Sequence, residues 1–466
     1  MYEKHGSAII SSVLIPKSMP VYWLVDAQAI KTVANDKGTF DKDIGFYKNG
    51  LDFFGENIIF SQYNAWRRHR IISNPAFNEA IYSVVWQETF RAVNDWFSEL
   101  GTKASSDGEY TFNAIHSFSE ITFLVFARAG FGAEASSASS DLYKVLQSAI
   151  YHSTPRTALP DWLFTISDRF YIPFVSPYLR ATQNTFRELE RLSMEAVSHV
   201  RAELLGKSSS TTGGALLRNL VKANMDADGN GSDRRALTDK ELMSNMFIFL
   251  TAGHETSANA ISFAIALLAL YPDVQKKVLD EVTALWPDTA PDYADDAVYT
   301  TAVFHEAMRL FPIAPRLGRV VTKDTVLKSY KFDPSDPSGS IEPYSVPMKQ
   351  GSEVVMDISA LHRNPVYWGN DVDDFKPERF IDTDDYHWPR DAFLGFSIGH
   401  RTCLGQRFAI VEAVAILALT VRNYQVLVPP KLRGKPFEEQ KKHLLKYRPV
   451  ITNGLVNDRV TFKKRD

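Results

Sequence analysis

The sequence predicts a mainly α protein with small β-sheets, an α+β chain, and three observations carry that expectation. From about Asn64 to Tyr271 the residue pattern is mainly helical, with one interruption between Gly206 and Ala236. Ahead of that stretch, short β-branched and aromatic runs (Ala8-Ile9-Ile10, Val21-Tyr22-Trp23-Leu24-Val25) alternate with Pro and Gly, the pattern of short strands and loops. After about Arg319 the β pattern returns at Val320-Val321 and Ser352 to Ile358. An Asp- and Pro-rich loop then leads to a last helix expected from Cys403 to Val421.

Within the interruption, residues 207–214 and 226–231 have loop compositions flanking one short apolar helix. Asp226-x-Asp228-x-Asn230-Gly231 copies the first half of a calcium-binding loop. Leu237 stands at the twelfth position, where a bidentate Glu closes such a site, so the segment reads as a solvated loop. A long helix follows from about Asp239 to Leu270, and a shorter one from Thr301 to Phe311. No internal repeat is present.

Composition narrows the function classes. With 45% hydrophobic and 23% charged residues over 466 positions, the chain can bury a large core, which excludes disorder for most of it. The net charge of −3 and the lack of a long Lys/Arg stripe argue against a nucleic-acid partner. One cysteine cannot form an internal disulfide, so that thiol is available for other chemistry. Apolar runs such as Ala260 to Tyr271 fall short of the roughly 20 residues needed to cross a bilayer.

The most informative segment is Phe396-Ser-Ile-Gly399-His-Arg401-Thr-Cys403-Leu-Gly405, ahead of the apolar run Phe408 to Leu419. Gly399 and Gly405 let the backbone pass close to a flat ligand, and a helix opening at the cysteine lowers the thiol pKa. A lone cysteine is often simply buried; here its neighbours favour an ionised sulfur. Phe-x-x-Gly-x-Arg-x-Cys-x-Gly resembles the haem-binding signature of the cytochrome P-450 family, with every specified position filled. The resemblance implies that Cys403 is the axial ligand of haem b (iron protoporphyrin IX), that Phe396 lies near the sulfur, and that Arg401 reaches a propionate. It implies the cytochrome P-450 fold, with haem buried between a long central helix and the cysteine-loop helix.

Four further motifs occur in the family's order. Trp66-Arg-Arg-His-Arg70 resembles the Trp-x-x-x-Arg helix whose two side chains hold a propionate; its plain alternative is a basic helix face. Ala252-Gly253-His-Glu255-Thr256 resembles the oxygen-activation motif. There the helix bends over the iron, Thr256 hydrogen-bonds oxygen and Glu255 relays protons. Glu306 and Arg309, at i,i+3 on one helix face, would alone be an ordinary exposed pair. With Arg379 in Phe375-Lys-Pro-Glu-Arg379-Phe they resemble the family's structural Glu-Arg-Arg triad. Arg319 is by the same resemblance a further propionate contact. Val346-Pro-Met-Lys-Gln-Gly351 departs from the usual Ile-Pro-x-Gly turn by being longer.

The implied activity is insertion of one atom of O₂ into a small lipophilic substrate, by hydroxylation or epoxidation, the other atom leaving as water. A separate NADPH-dependent flavoprotein reductase supplies the electrons, docking at basic residues near the cysteine loop that include Arg401 and Arg407. Residues 52–62, Phe249 to Ala252 and Ile313 to Arg316 are expected to line the substrate pocket. Residues 1–466 are read as one catalytic domain that starts where the family's N-terminal membrane anchor ends. The full-length form is therefore expected on the cytoplasmic face of the endoplasmic reticulum membrane. Phe311-Pro-Ile-Ala-Pro-Arg and His362-Arg-Asn-Pro resemble microsomal-type fungal members that tailor lipophilic secondary metabolites such as terpenoids. Two other readings stay open: a haem-thiolate isomerase or dehydratase needing neither O₂ nor reductase, and a non-catalytic haem sensor. The intact Glu255-Thr256 pair favours the monooxygenase.

Overall fold

The computed structural model describes residues 2–14, 19–44, 54–103, 108–132, 137–158, 162–163, 166, 169–171, 173, 175–207, 214–229, 236–286, 296–333, 335–449 and 452–465. Eleven helices of nine residues or more are among them: α1 (Ala27–Asn35), α2 (Tyr63–Ser73), α3 (Glu79–Lys103), α4 (Ala114–Phe131), α5 (Ser137–Ala158), α6 (Ser176–Leu204), α7 (Ala215–Gly229), α8 (Asp239–Leu270), α9 (Pro272–Leu285), α10 (Val298–Leu310) and α11 (Gln406–Asn423). The strands are β1 (Ile9–Leu14), β2 (Met19–Leu24), β3 (Phe40–Lys42), β4 (Glu109–Asn113), β5 (Arg316–Val321), β6 (Thr325–Asp333), β7 (Asp336–Met348), β8 (Glu353–Asp357), β9 (Tyr424–Leu427), β10 (Tyr447–Pro449), β11 (Asn453–Leu455) and β12 (Arg459–Lys464). This is the mainly α architecture with small sheets that the sequence predicts.

The chain divides into two units. The first comprises Met1–Asp43, Val93–Ser119 and Thr256–Asp466, and the second Ile44–Ala92 and Glu120–Glu255. Every strand named above belongs to the first unit. Its five-stranded sheet runs β1-β2-β8-β5-β3 and buries Leu24, Phe40, Val354 and Met356 against Ile30 and Val33 of α1. In that sheet β3 pairs antiparallel with β5, Phe40 facing Val321 and Lys42 facing Arg319. A second sheet, β4-β12-β9, closes over an aromatic cluster in which Trp96, Phe112, Phe118 and Phe462 meet edge to face. Strand β4 lies inside the stretch read as helical; its pairing with β12, far along the chain, is what makes it a strand.

From Ala258 to Leu270 α8 is buried on all faces, as is α11 from Val411 to Val421, the state expected of helices apolar all round. No single described helix is long and apolar enough to cross a membrane; α8 and α9 reach that length and composition only together, and they meet at 109°.

The regular elements among the second unit's described residues are all helical. Thr238 and Glu241 form a reciprocal capping box at the start of α8: Glu241 N donates to Thr238 Oγ1 at 3.2 Å, and Thr238 N to Glu241 Oε2 at 2.9 Å. One loop reading is corrected. Asp226 to Gly229 form the last turn of α7, not a loop, and positions 230–235 lie outside the described residues. A helix already propagating gains one hydrogen bond per added residue, and that outweighs the weak local preference of Asp and Gly for turns. Asn224 anchors that end, donating to Leu237 O at 3.0 Å and to Asp239 Oδ1 at 2.9 Å.

Candidate active site

In the first unit the cysteine segment forms a loop that doubles back on itself. Cys403 N donates to Phe396 O at 2.9 Å and the Thr402 hydroxyl to the same carbonyl at 3.2 Å. Gly399 makes the return possible: its φ is +75°, and a Cβ there would stand 3.0 Å from Ala34 O and from Asn35 Oδ1. Phe396 is half-buried and Cys403 is exposed. The cysteine does not open the helix, as the sequence suggests; α11 begins at Gln406 with Gly405 as its N-cap, because residues 399–401 are taken by a 3₁₀ turn. Ser397, with φ +64°, is one of two described non-glycine residues in the left-handed region, so the loop stores strain beside the thiol.

Cations converge on this loop. Arg319 is 5% exposed and faces Lys42 across the β3–β5 ladder. Burial, then the guanidinium groups of Arg401 and Arg319, lower the Lys42 ammonium to about 7. Burial, then Lys37, Arg401 and Arg319, bring His400 down to about 4. Like charges crowded out of water are costly unless an anion shares their surroundings. A cysteine sulfur in the same loop as Arg401 suits a porphyrin that carries two carboxylates, so the residues present fit a haem. Sequence reasoning found Arg319 and Arg401 but missed Lys42, because nothing local in Phe40-Asp-Lys42 reports the strand pairing.

The Glu306, Arg309 and Arg379 triad is also in the first unit. Glu306 and Arg309 are fully buried and joined bidentately, Nε to Oε2 at 2.6 Å and Nη2 to Oε1 at 2.8 Å. This is not the exposed pair that its spacing alone would suggest. Arg309 also donates to the carbonyls of His362 and Val372 at 2.8 Å and of Asp374 at 3.2 Å, and lies 5.4 Å from the centre of the Trp368 ring. Arg379 approaches Glu306 at 3.6 Å and donates to Trp368 O and Asp371 O. Burial pushes the Glu306 carboxyl above its ordinary pKa, against the pull of Arg309. The triad ties α10 to residues 362–379.

Of the Ala252–Thr256 motif, Ala252 to Glu255 belong to the second unit and Thr256 to the first. All five lie within the unbroken helix α8; Ala252, Gly253, Glu255 and Thr256 are half-buried, His254 fully buried. A Cβ at Gly253 would come within 2.6 Å of the Phe126 ring of α4. Helix propensity alone favours Gly253→Ala by about 1 kcal/mol. The clash, typically about 1 to 3 kcal/mol, reverses that sign. Urea denaturation of Gly253→Ala should therefore show a lower midpoint than wild type, where propensity alone requires a higher one.

Trp66 and Arg70 sit half-buried on α2, in the second unit. Arg68 is no bare surface charge; it pairs with Glu241, while Arg67 is exposed. Glu56, His69 and Glu241 bring ligand-type atoms within 4.8 Å of one another. Asn245 decides what they do. Its Oδ1 accepts from Ile58 N and its Nδ2 donates to Glu241 O, so Nδ2 also donates to His69 Nδ1 at 2.9 Å. The His69 proton is therefore on Nε2, 3.8 Å from Glu241 Oε1, leaving no lone pair for a metal. The cluster braces α2 against the start of α8. Of the expected pocket segments, residues 51–53 lie outside the described residues; Phe249 and Ile313 are buried.

Comparison with known proteins agrees with this geometry. The family model described as Cytochrome P450 matches residues 4–452. Cytochrome P450 monooxygenase 124 of Postia placenta is 34% identical over 480 aligned residues, covering 100% of this chain and 87% of its own length. Cytochrome P450 3A13 of Mus musculus is 36% identical over 214 residues, 45% of this chain and 39% of that protein. The bifunctional cytochrome P450/NADPH–P450 reductase 2 of Bacillus subtilis is 28% identical over 271 residues, 55% of this chain and 24% of that protein. The chain belongs to the cytochrome P450 family, the haem-thiolate monooxygenases.

Proposed function

We propose that residues 1–466 form one catalytic domain that binds haem b through Cys403 and inserts one atom of O₂ into a small lipophilic substrate of secondary metabolism, such as a terpenoid. The observation that carries this reading is the doubled-back Cys403 loop with Lys42, Arg319 and Arg401 gathered beside it. When bound, the haem supplies oxygen activation, to which thiolate donation contributes by favouring O–O cleavage. Arg401 and Arg319, with Trp66 and Arg70, neutralise and orient the propionates through charge-assisted hydrogen bonds. Phe396, Gly399 and Gly405 shape the loop around the sulfur. On α8, Ala252 and Gly253 leave room for the oxygen substrate. The Thr256 hydroxyl donates a hydrogen bond to it, and the Glu255 carboxyl passes protons inward from solvent.

Electrons come from a separate NADPH-dependent flavoprotein reductase docking near Arg401 and Arg407. The protein works at the cytoplasmic face of the endoplasmic reticulum membrane, where both a lipophilic substrate and such a reductase are at hand. The test is the spectrum of the purified protein reduced with dithionite under carbon monoxide, followed by NADPH oxidation with and without added reductase. A strongly red-shifted Soret band and reductase-dependent NADPH consumption are expected. A band typical of histidine ligation would overturn the ligand assignment. A thiolate band with no response to reductase would favour the isomerase or dehydratase.

A further inference from the structure

The sequence reading leaves His254 without a role, although it sits between Gly253 and Glu255. In the second unit its side chain is fully buried, the one buried residue among the five of the motif. Nδ1 lies 2.6 Å from Leu250 O, the carbonyl four residues back, and a carbonyl only accepts, so Nδ1 carries the proton. Nε2 is then a lone pair, and it stands 2.9 Å from Nε2 of Gln147 on α5, which must donate to it. The backbone carbonyl of His254 accepts from the Thr122 hydroxyl of α4 at 3.0 Å. Phe123 and Tyr143 meet the imidazole edge to face, at 5.6 and 6.2 Å between ring centres.

Two helices therefore clamp one turn of α8. Gln147 and Tyr143, at i,i+4, present one face of α5 to the ring, while Thr122, Phe123 and Phe126 present one face of α4 to the same turn. Burial brings the His254 pKa down to about 4, so the imidazole is neutral at working pH and the lone pair is kept. Among the described side chains seen against the ring, Gln147, Phe123 and Tyr143, the Tyr143 phenol is the ionisable one; Glu255 is the charged neighbour along α8.

We propose that His254 is a positioning residue for oxygen activation, fixing the turn that carries Glu255 and Thr256 through the Gln147 hydrogen bond and the Thr122 brace. The inference rests on the proton-delivery role assigned above to Glu255 and Thr256. Residues 254–256 occupy one helical turn, so a small rotation of His254 moves both proton-carrying groups together. A displacement of α5 reaches them by the same route.

Gln147→Glu and Gln147→Leu test the clamp. A carboxylate cannot donate to a neutral imidazole lone pair, so Gln147→Glu restores the hydrogen bond only when the pair takes up one proton, on the carboxyl or on Nε2. The readout is the ratio of hydrogen peroxide to water formed from O₂ in reductase-driven NADPH turnover without added substrate. Peroxide consumes two electrons and two protons per O₂, water four of each, so misplaced proton carriers raise the ratio. Gln147→Leu should raise it about 3- to 10-fold at every pH, the equivalent of one buried hydrogen bond. Gln147→Glu should match wild type at low pH and Gln147→Leu at high pH.

An independent readout is the imidazole ¹⁵N spectrum of the reduced, carbon-monoxide-bound protein, with His254 assigned by its loss in His254→Asn. It should show an Nδ1-protonated ring in wild type and, in Gln147→Glu, an Nε2 signal that moves to its hydrogen-bonded position only as the pH falls. If the Gln147 variants do not fold, near-isosteric Thr122→Val carries the test through the same ratio. Wild-type ratios in folded variants with an intact thiolate spectrum would overturn the proposal alone; loss of that spectrum in wild type would overturn the function beneath it.

Discussion

Cys403→Ser should keep its fold and lose its chemistry. The side chain is exposed and contributes little packing, so circular dichroism and the denaturation midpoint of the haem-free protein should stay near wild type. A serine hydroxyl, unlike a cysteine thiol, is not ionised near neutral pH, so it offers iron a neutral oxygen in place of anionic sulfur. The reduced, carbon-monoxide-treated variant should therefore lack the red-shifted Soret band, and reductase-driven turnover should fall to background. A variant that kept the band would transfer the ligand role to another residue, although the chain has no second cysteine to take it.

Arg309→Leu should have the opposite profile, failing in stability before chemistry is reached. The substitution leaves Glu306 fully buried with only the more distant Arg379 at 3.6 Å and the Lys376 amide at 2.9 Å. It also removes the donor to three backbone carbonyls between His362 and Asp374. Breaking a buried pair from one side costs about 3 to 5 kcal/mol, a large share of the roughly 5 to 15 kcal/mol that holds an ordinary domain folded. Little haem-loaded protein should be recovered at 37 °C, and the urea midpoint of any soluble fraction should be sharply lowered. An unfolding free energy within about 1 kcal/mol of wild type would mean that the pair is far better solvated than its burial indicates.

The two substitutions separate what was legible in the sequence from what was not. Cys403, Gly399 and Arg401 could be singled out because the pattern that carries them is local. A loop that turns back within a few residues needs its glycine and its thiol at set spacing, and spacing is what a sequence displays. The extent of α8, all of α10 but its first residues, and the i,i+3 relation of Glu306 to Arg309 were readable for the same reason. Burial was not. Nothing in Glu306-Ala-Met-Arg309 tells an exposed pair from one sealed beneath residues 362–379. That difference reverses the cost of losing a partner from negligible to several kcal/mol.

Other features depend on partners distant along the chain. Lys42 joins the cationic group only because β3 pairs with β5. β4 is a strand only because β12 lies beside it. Gly253 faces the Phe126 ring, and His254 takes its hydrogen bond from Gln147 on a helix about a hundred residues earlier. By itself the sequence determined the fold class, the thiol and the order of the motifs, since backbone periodicity and short-range geometry act between near neighbours. Only the tertiary structure decided which charges are buried, which cations crowd together and which tautomer His254 holds, because desolvation and hydrogen bonding depend on everything packed around a group.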